Sequence, residues 1–130
     1  MDKMEKETDV SEKGTLDELY VNFHREMNVI EERRESIVKE IQKLDADQNL
    51  FDNVNREMNY LFKEVSRHCE EEQFILSMER CEDEFYDCQR NIENELEEKR
   101  EQLESERRDT YKKEEELREN LQRKKCLLEN

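Results

Sequence analysis

Cysteine and histidine are the residue types in this sequence that could bind zinc or act as nucleophiles. His68 and Cys69 are adjacent, and Cys81 and Cys88 would share one face of a helix. A zinc site normally contains a short-spaced chelating pair, whereas adjacent residues on a helix point about 100° apart. The spacing therefore favours Cys81 and Cys88 as small hydrophobic residues on a buried helix face.

A calcium loop is the second candidate site, because Asp45, Asp47 and Asn49 fit its first, third and fifth positions. Such a loop also needs Gly at the sixth position and Glu at the twelfth, where this sequence has Leu50 and Arg56. No Gly-rich phosphate loop and no nucleophile with a histidine partner at a turn occurs either. We therefore expect no catalytic residue, no cofactor and no metal, and we expect that the protein is not an enzyme.

The composition excludes an ordinary globular core. Of the 130 residues, 47% are charged and 32% are hydrophobic, with one Gly, no Pro and no Trp. Such a composition is typical of coiled coils and long helices. Sheets with tight hairpins need turn residues that this chain lacks. The composition therefore leaves two alternatives, an extended all-α interaction protein or a disordered chain.

The charge of the chain limits its partners. The net charge is −15, and residues 69–95 alone hold ten acidic and two basic residues. This acidity argues against binding to nucleic acid or to an anionic membrane surface. No run approaches the roughly 18 apolar residues of a membrane helix, and residues 1–15 lack the apolar core of a signal peptide. We expect a cytoplasmic protein.

Two heptad series run unbroken through the first half of the chain. The first is apolar at every position and consists of Leu16, Phe23, Ile30, Ile37, Leu44, Phe51, Met58 and Val65. The second, four residues later, consists of Tyr20, Met27, Arg34, Ile41, Gln48, Asn55, Phe62 and Cys69. Together they predict the d and a positions of a coiled-coil seam, in which Arg34, Gln48 and Asn55 are polar interruptions.

A second apolar repeat follows, and it predicts a second helix. Its members are Phe74, Met78, Cys81, Phe85, Cys88 and Ile92, followed by Leu96, Leu103, Leu117, Leu121 and Leu128. Between the repeats, the seam lapses into glutamates at residues 66–73. This pattern predicts an antiparallel two-helix coiled-coil hairpin that packs with partner helices. Because no strong turn residue occurs there, a single long coiled-coil helix is the alternative.

The domain organisation follows from these repeats. Residues 1–14 are polar and aperiodic, which predicts a flexible tail. A capping box at Thr15-Leu16-Asp17-Glu18 predicts that helix one begins at Leu16. One hairpin over residues 15–128 would then contain helix one at about 16–66, a turn at about 67–73 and helix two at about 74–128.

The apolar stripe widens towards the predicted turn. The widened part contains Leu50, Phe51, Val54, Met58, Leu61, Phe62 and Val65, and it faces Phe74, Met78 and Phe85. A wide stripe contacts more than one neighbouring helix. We predict that these residues bind helices of another protein, and the alternative is that they form only the core of the hairpin.

The chain resembles a known family in its length and plan. The plan is a heptad-patterned helix, the acidic stretch Glu-Glu-Glu-Gln-Phe at 70–74, and a highly charged second helix with Leu-Glu-Glu-Lys-Arg-Glu-Gln-Leu at 96–103 and Glu-Glu-Glu-Leu-Arg at 114–118. Over residues 15–125 it is similar to the small helical targeting partners of LXG-domain toxins, which the type VII secretion systems of Gram-positive bacteria export. It has no Trp, so it lacks the W-x-G turn of WXG-type substrates.

The resemblance implies a function. A family member of this kind is a hairpin that lies beside the helical N-terminal domain of a toxin together with a second small helical protein. The expected function is a chaperone-like adaptor that prepares the toxin for export and is either retained in the cytoplasm or exported with it. The alternative is a homodimeric coiled-coil scaffold. A parallel homodimer would place Arg34 against Arg34, which favours a heteromer.

Overall fold

The computed structural model of the chain consists of two α-helices. Helix α1 spans Asp2–His68 and helix α2 spans Glu72–Glu129. The structure describes the backbone of residues 2–129 and the side chains of residues 15–129, and within these residues there is no strand. Charged residues with long, unbranched side chains and the absence of proline favour such long helices. The predicted all-α helical hairpin is confirmed.

Residues 69–71 connect the two helices. The backbone N–H of Ile75 donates to the carbonyl of Glu71 at 3.0 Å, at the start of α2. No described residue has a positive φ, so this connection needs no glycine. Basic Arg67 and His68 lie in the last turn of α1 and acidic Glu72 in the first turn of α2, and each charge is favourable to the helix dipole.

The N-terminal boundary differs from the predicted one. Helix α1 begins at Asp2 rather than at Leu16, so the helix passes through the capping box without starting there. Residues 2–13 carry no Pro or Gly, and a single Gly14 costs a helix only about 1 kcal/mol. The side chains of residues 1–14 lie outside the described part of the chain, and the flexible tail there stays a prediction.

The hairpin divides into two compact units, each containing a part of both helices. Unit 1 comprises Met1–Val38 with Ser105–Asn130, and unit 2 comprises Lys39–Glu104. In unit 1, Arg33 and Arg34 of α1 pair with Glu106 and Glu114 of α2. Closer to the chain ends, a side-chain hydrogen bond with Tyr20 raises the pKa of Lys125. In this unit α2 therefore runs antiparallel to α1.

The same direction holds in unit 2. The guanidinium of Arg100 lies 3.2 Å from the carboxylate of Asp45. Nearer the connection, the hydroxyl of Tyr86 lies 3.5 Å from the side-chain carbonyl of Asn59. Residue numbers thus rise on α1 as they fall on α2, which is an antiparallel arrangement.

The heptad seam of α1 faces α2 throughout the described residues. Every position of the two series from Leu16 to Cys69 is buried or half-buried. The most covered side chains are Ile37 and Leu44, each 1% exposed. A sequence period of 3.5 residues keeps one stripe of the helix towards its neighbour, and this is why the series stays covered over many turns.

The seam of α2 differs from its prediction. We expected Cys81 and Cys88 on the buried face, but both are exposed. Glu82 and Gln89 are half-buried in their place, between the half-buried Met78, Phe85 and Leu96. The stripe on α2 is therefore shifted by one residue at these positions, because burial follows the face that α1 covers rather than the local hydrophobicity of α2.

Arg34 interrupts the seam of unit 1 with a charge. Its guanidinium pairs with Glu114 and lies 4.8 Å from the centre of the Tyr111 ring. Arg118 also reaches Glu114, at 2.7 Å. The Nε atom of Arg34 is buried without a hydrogen-bond partner. Glu114 of α2 thus neutralises the charge of Arg34. In a parallel homodimer, Arg34 would instead lie against a second Arg34.

Burial is concentrated away from the connection. In unit 1 the buried side chains are Met27, Ile37 and Thr110, and in unit 2 they are Leu44, Asn55 and Leu103. No residue between Asn55 and Leu103 is buried. The end of unit 2 nearest the connection therefore contains no fully buried side chain, although most of the phenylalanines lie there.

Candidate partner-binding surface

The structure divides the predicted partner-binding residues into two groups. Six of them are half-buried between the two helices: Phe51, Met58, Phe62, Val65, Met78 and Phe85. The other four are exposed: Leu50, Val54, Leu61 and Phe74. Each residue of the second group is more than a third exposed, so only this group presents a large hydrophobic surface to solvent without opening the hairpin.

The first group forms the interface of the hairpin itself. The rings of Phe62 and Phe85 pack edge to face, with centroids 5.6 Å apart. This geometry is favourable for two aromatic rings. Substituting either phenylalanine would therefore change the hairpin as well as any surface built on it, so these residues are poor probes of partner binding.

Leu50, Val54 and Leu61 are exposed along one side of α1, and we call these three residues the apolar strip. Their exposed fractions are 64%, 44% and 52%. Each lies one residue before a seam position, and their spacing of four and seven residues places them within about 40° of one another around α1. The hydrophobic stripe of α1 therefore has one edge that α2 does not cover, and this edge is the apolar strip.

The two flanks of α1 in unit 2 have opposite character. The leading flank consists of the residues that immediately precede seam positions, and from 47 to 64 these are Asp47, Leu50, Val54, Glu57, Leu61 and Glu64. The trailing flank consists of the residues that follow seam positions, and from 45 to 66 these are Asp45, Asn49, Asp52, Arg56, Asn59, Lys63 and Ser66. Only the leading flank contains apolar residues, and it has no basic residue between 47 and 64, although Lys43 precedes the seam residue Leu44 earlier in unit 2.

The exposed cysteines of α2 belong to the same side as the apolar strip. Asn59 on the trailing flank of α1 meets Tyr86, which follows the seam residue Phe85. The two trailing flanks therefore face each other, and the residues that precede seam positions of α2 lie on the other side of the pair. Cys81 and Cys88 are among these residues.

The trailing side contains a polar groove. It has a volume of about 520 Å³ and is lined by Asn59, Phe62, Lys63, Ser66, Arg67, Glu82 and Tyr86. Its ionic groups are of both signs and its walls are mostly polar. Nothing in this groove combines a nucleophile, a base and an orienting group.

The start of α2 exposes further hydrophobic residues. Phe74, Ile75 and Leu76 are each more than a third exposed. A smaller groove of about 220 Å³ lies between Val65 and Cys69 of the α1 end and Phe74, Ile75 and Met78 of α2, with Glu79 and Glu82 at its side. The sequence pattern had not singled out Leu76, because it lies outside the heptad series.

The His, Cys and Asp residues that the sequence analysis weighed and rejected as metal ligands form no cluster. Among the described residues, no group of three or more His, Cys, Asp or Glu side chains could hold a metal ion. Asp45 instead pairs with Arg100. His68 lies 3.6 Å from the carboxylate of Glu64 one turn earlier.

Among the described residues, no helix is both long and apolar enough to span a membrane.

Comparisons with protein-family models, with curated proteins and with solved structures found no match to this chain. The chemistry of the surface is therefore the observation from which a function can be inferred.

Proposed function

We propose that this chain is a non-enzymatic helical adaptor that binds helices of another protein. In the specific form of the proposal, the partner is the helical N-terminal domain of a secreted toxin, bound together with a second small helical protein. The adaptor prepares the toxin for type VII export from the cytoplasm. The resemblance of residues 15–125 to partners of LXG-domain toxins supports this specific form.

The apolar strip is the observation that supports helix binding. Leu50, Val54 and Leu61 are each about half exposed on one side of α1, and exposed hydrophobic residues gathered in this way mark an interaction site more than scattered ones do. Complete burial of a Leu or Val side chain contributes about 1.5–3 kcal/mol, so covering the exposed part of each would contribute roughly 1 kcal/mol. A third helix laid on the strip would gain this energy.

Reconstitution from purified proteins tests the proposal. The chain should be mixed with the N-terminal domain of an LXG toxin encoded beside it, in the presence and absence of the second small helical protein from the same locus. We expect a complex of defined stoichiometry by light scattering. Binding to the folded chain should also raise its melting temperature with partner concentration, by mass action.

The homodimeric scaffold is the competing outcome. If the chain alone is a thermostable homodimer and no neighbouring helical protein binds it, the adaptor function is wrong. If a helical protein other than a toxin domain binds with defined stoichiometry, the adaptor function stands and its assignment to type VII export is wrong.

A further inference from the structure

The chemical character of the apolar strip indicates which partner it can accept. From residue 47 to residue 64, the leading flank of α1 contains three acidic residues beside the strip and no basic one. On the same side of unit 2, the residues of α2 that precede the half-buried Met78, Glu82, Phe85, Gln89 and Leu96 are Ser77, Cys81, Glu84, Cys88 and Glu95, again with no basic residue. The strip is therefore a hydrophobic surface bordered mainly by negative charge, and the exception is Arg56, which lines a groove together with Glu57, Tyr60 and Leu61.

Most of these border carboxylates are available to a partner. No hydrogen bond or ion pair is recorded for Asp47, Glu57 or Glu95, and all three are exposed. Glu64 is the exception, because it lies 3.5 Å from Arg67 of the next turn. Like charges gathered at the rim of a contact oppose a negative partner and attract a positive one.

We propose that the apolar strip binds one amphipathic helix whose own apolar face is flanked by lysine or arginine. The inference rests on the proposed adaptor function and specifies the chemistry of its partner. The partner helix covers Leu50, Val54 and Leu61 with its apolar residues and places its basic residues beside Asp47 and Glu57. The contact is a helix-in-groove association in which hydrophobic burial provides affinity and charge provides selectivity.

The charge distribution disfavours a second copy of this chain as the occupant. A symmetric dimer through the strip would place the border of one copy against the border of the other, with acidic residues on both sides. Juxtaposed like charges at an interface oppose association. A basic helix meets only Arg56 as a like charge, and this difference favours a heteromeric partner.

Two designed peptides provide the direct test. Both are 21-residue helices, about 31 Å long, with leucine at the a and d positions of their heptads. One carries lysine at e and g and the other carries glutamate there. Fluorescence anisotropy of each labelled peptide is measured against the full-length chain at about 50 mM and about 500 mM salt. We expect that the lysine peptide binds at least ~10-fold more tightly at low salt and that this preference shrinks at high salt.

The variant Leu61→Asp separates docking from non-specific attraction. The substitution makes the chain more negative, so general attraction of a basic peptide would strengthen. Docking on the strip instead predicts binding at least ~30-fold weaker, because the new carboxylate would be desolvated at the contact. The control is Val29→Asp, which adds the same charge at a residue that is 62% exposed and lies in unit 1. Its binding should stay within ~2-fold of the unsubstituted chain.

A charge-reversal pair tests the border. Glu57→Lys lies beside the strip, and Asp83→Lys makes the same charge change on the trailing side of α2; both original residues are exposed. We expect ~3- to 10-fold weaker binding of the lysine peptide for Glu57→Lys and less than ~2-fold for Asp83→Lys at low salt. Far-UV circular dichroism of each variant establishes that the helices are intact.

Three results would overturn the inference. The first is equal binding of the two peptides, or no binding of either. The second is binding that Leu61→Asp does not weaken in a folded chain. The third is a dimer of the chain alone that Leu61→Asp dissociates, which would make a second copy the occupant. If the toxin domain binds the chain and Leu61→Asp leaves that binding unchanged, the adaptor function survives and only the assignment of its partner to the strip fails.

Discussion

Removing the ion pair between Arg34 and Glu114 should reveal how the hairpin accommodates a charge in its seam. The side chains are 30% and 15% exposed, so the pair is largely desolvated. Arg34 also contacts the Tyr111 ring, and its Nε atom is buried without a partner. We consider three variants: Arg34→Leu, Glu114→Leu and the double substitution.

The expected energies follow from desolvation. Breaking a fully buried pair by removing one partner costs about 3–5 kcal/mol, and the remaining exposure of Arg34 reduces this to about 2–3 kcal/mol for Glu114→Leu. The double variant removes both charges and extends the apolar seam between Ile30 and Ile37. It should be as stable as the original chain or up to about 1 kcal/mol more stable. Arg34→Leu should be close to neutral, because Glu114 keeps its contact with Arg118, so the coupling energy between the two positions is then at least about 2 kcal/mol.

Urea denaturation followed by circular dichroism at 222 nm measures the four free energies of unfolding. The measurement is repeated at two protein concentrations so that association is detected. The exposed pair formed by Asp87 and Arg90 serves as the control, because its side chains are 66% and 72% exposed. The same cycle there should give a coupling of less than about 0.5 kcal/mol.

Additive effects of Arg34→Leu and Glu114→Leu, within about 0.5 kcal/mol, would refute this reasoning. A double variant no more stable than Glu114→Leu would refute it as well. Either result would mean that the guanidinium is solvated rather than paired with α2.

Three further predictions concern the distribution of burial. Leu44→Ala should lower the free energy of unfolding by about 3 kcal/mol, whereas Leu50→Ala should lower it by less than about 1 kcal/mol, both measured by urea denaturation. Asn55→Leu should stabilise the chain by about 1 kcal/mol in the same assay, because the side-chain carbonyl of Asn55 is buried without a hydrogen-bond partner. A loss of stability would indicate that this carbonyl accepts a hydrogen bond in the native chain. The exposed Cys81 and Cys88 should react with a maleimide in the native chain almost as fast as in urea. Their joint replacement by Ala should change the unfolding free energy by less than about 0.5 kcal/mol. Protection of both thiols in the native chain would contradict the placement of the α2 seam.

The sequence by itself determined the helical character of the chain and the buried face of α1, but not the residue at which α1 begins. A helix needs only local hydrogen bonds and suitable propensities, and the heptad series from Leu16 to Cys69 marks one stripe without reference to any partner. The connection at residues 69–71 also falls where that seam lapses into glutamates. These features are local, and local features can be read from the order of residues.

Only the tertiary structure decided which face of α2 is buried and where hydrophobic surface remains. The local pattern of α2 favoured Cys81 and Cys88 over Glu82 and Gln89, yet the glutamate and the glutamine face α1. The register between the helices settles this choice, and contacts such as that of Arg34 with residues of α2 depend on partners that are distant in sequence. The apolar strip is likewise defined by what α2 fails to cover, which no repeat in α1 alone could show.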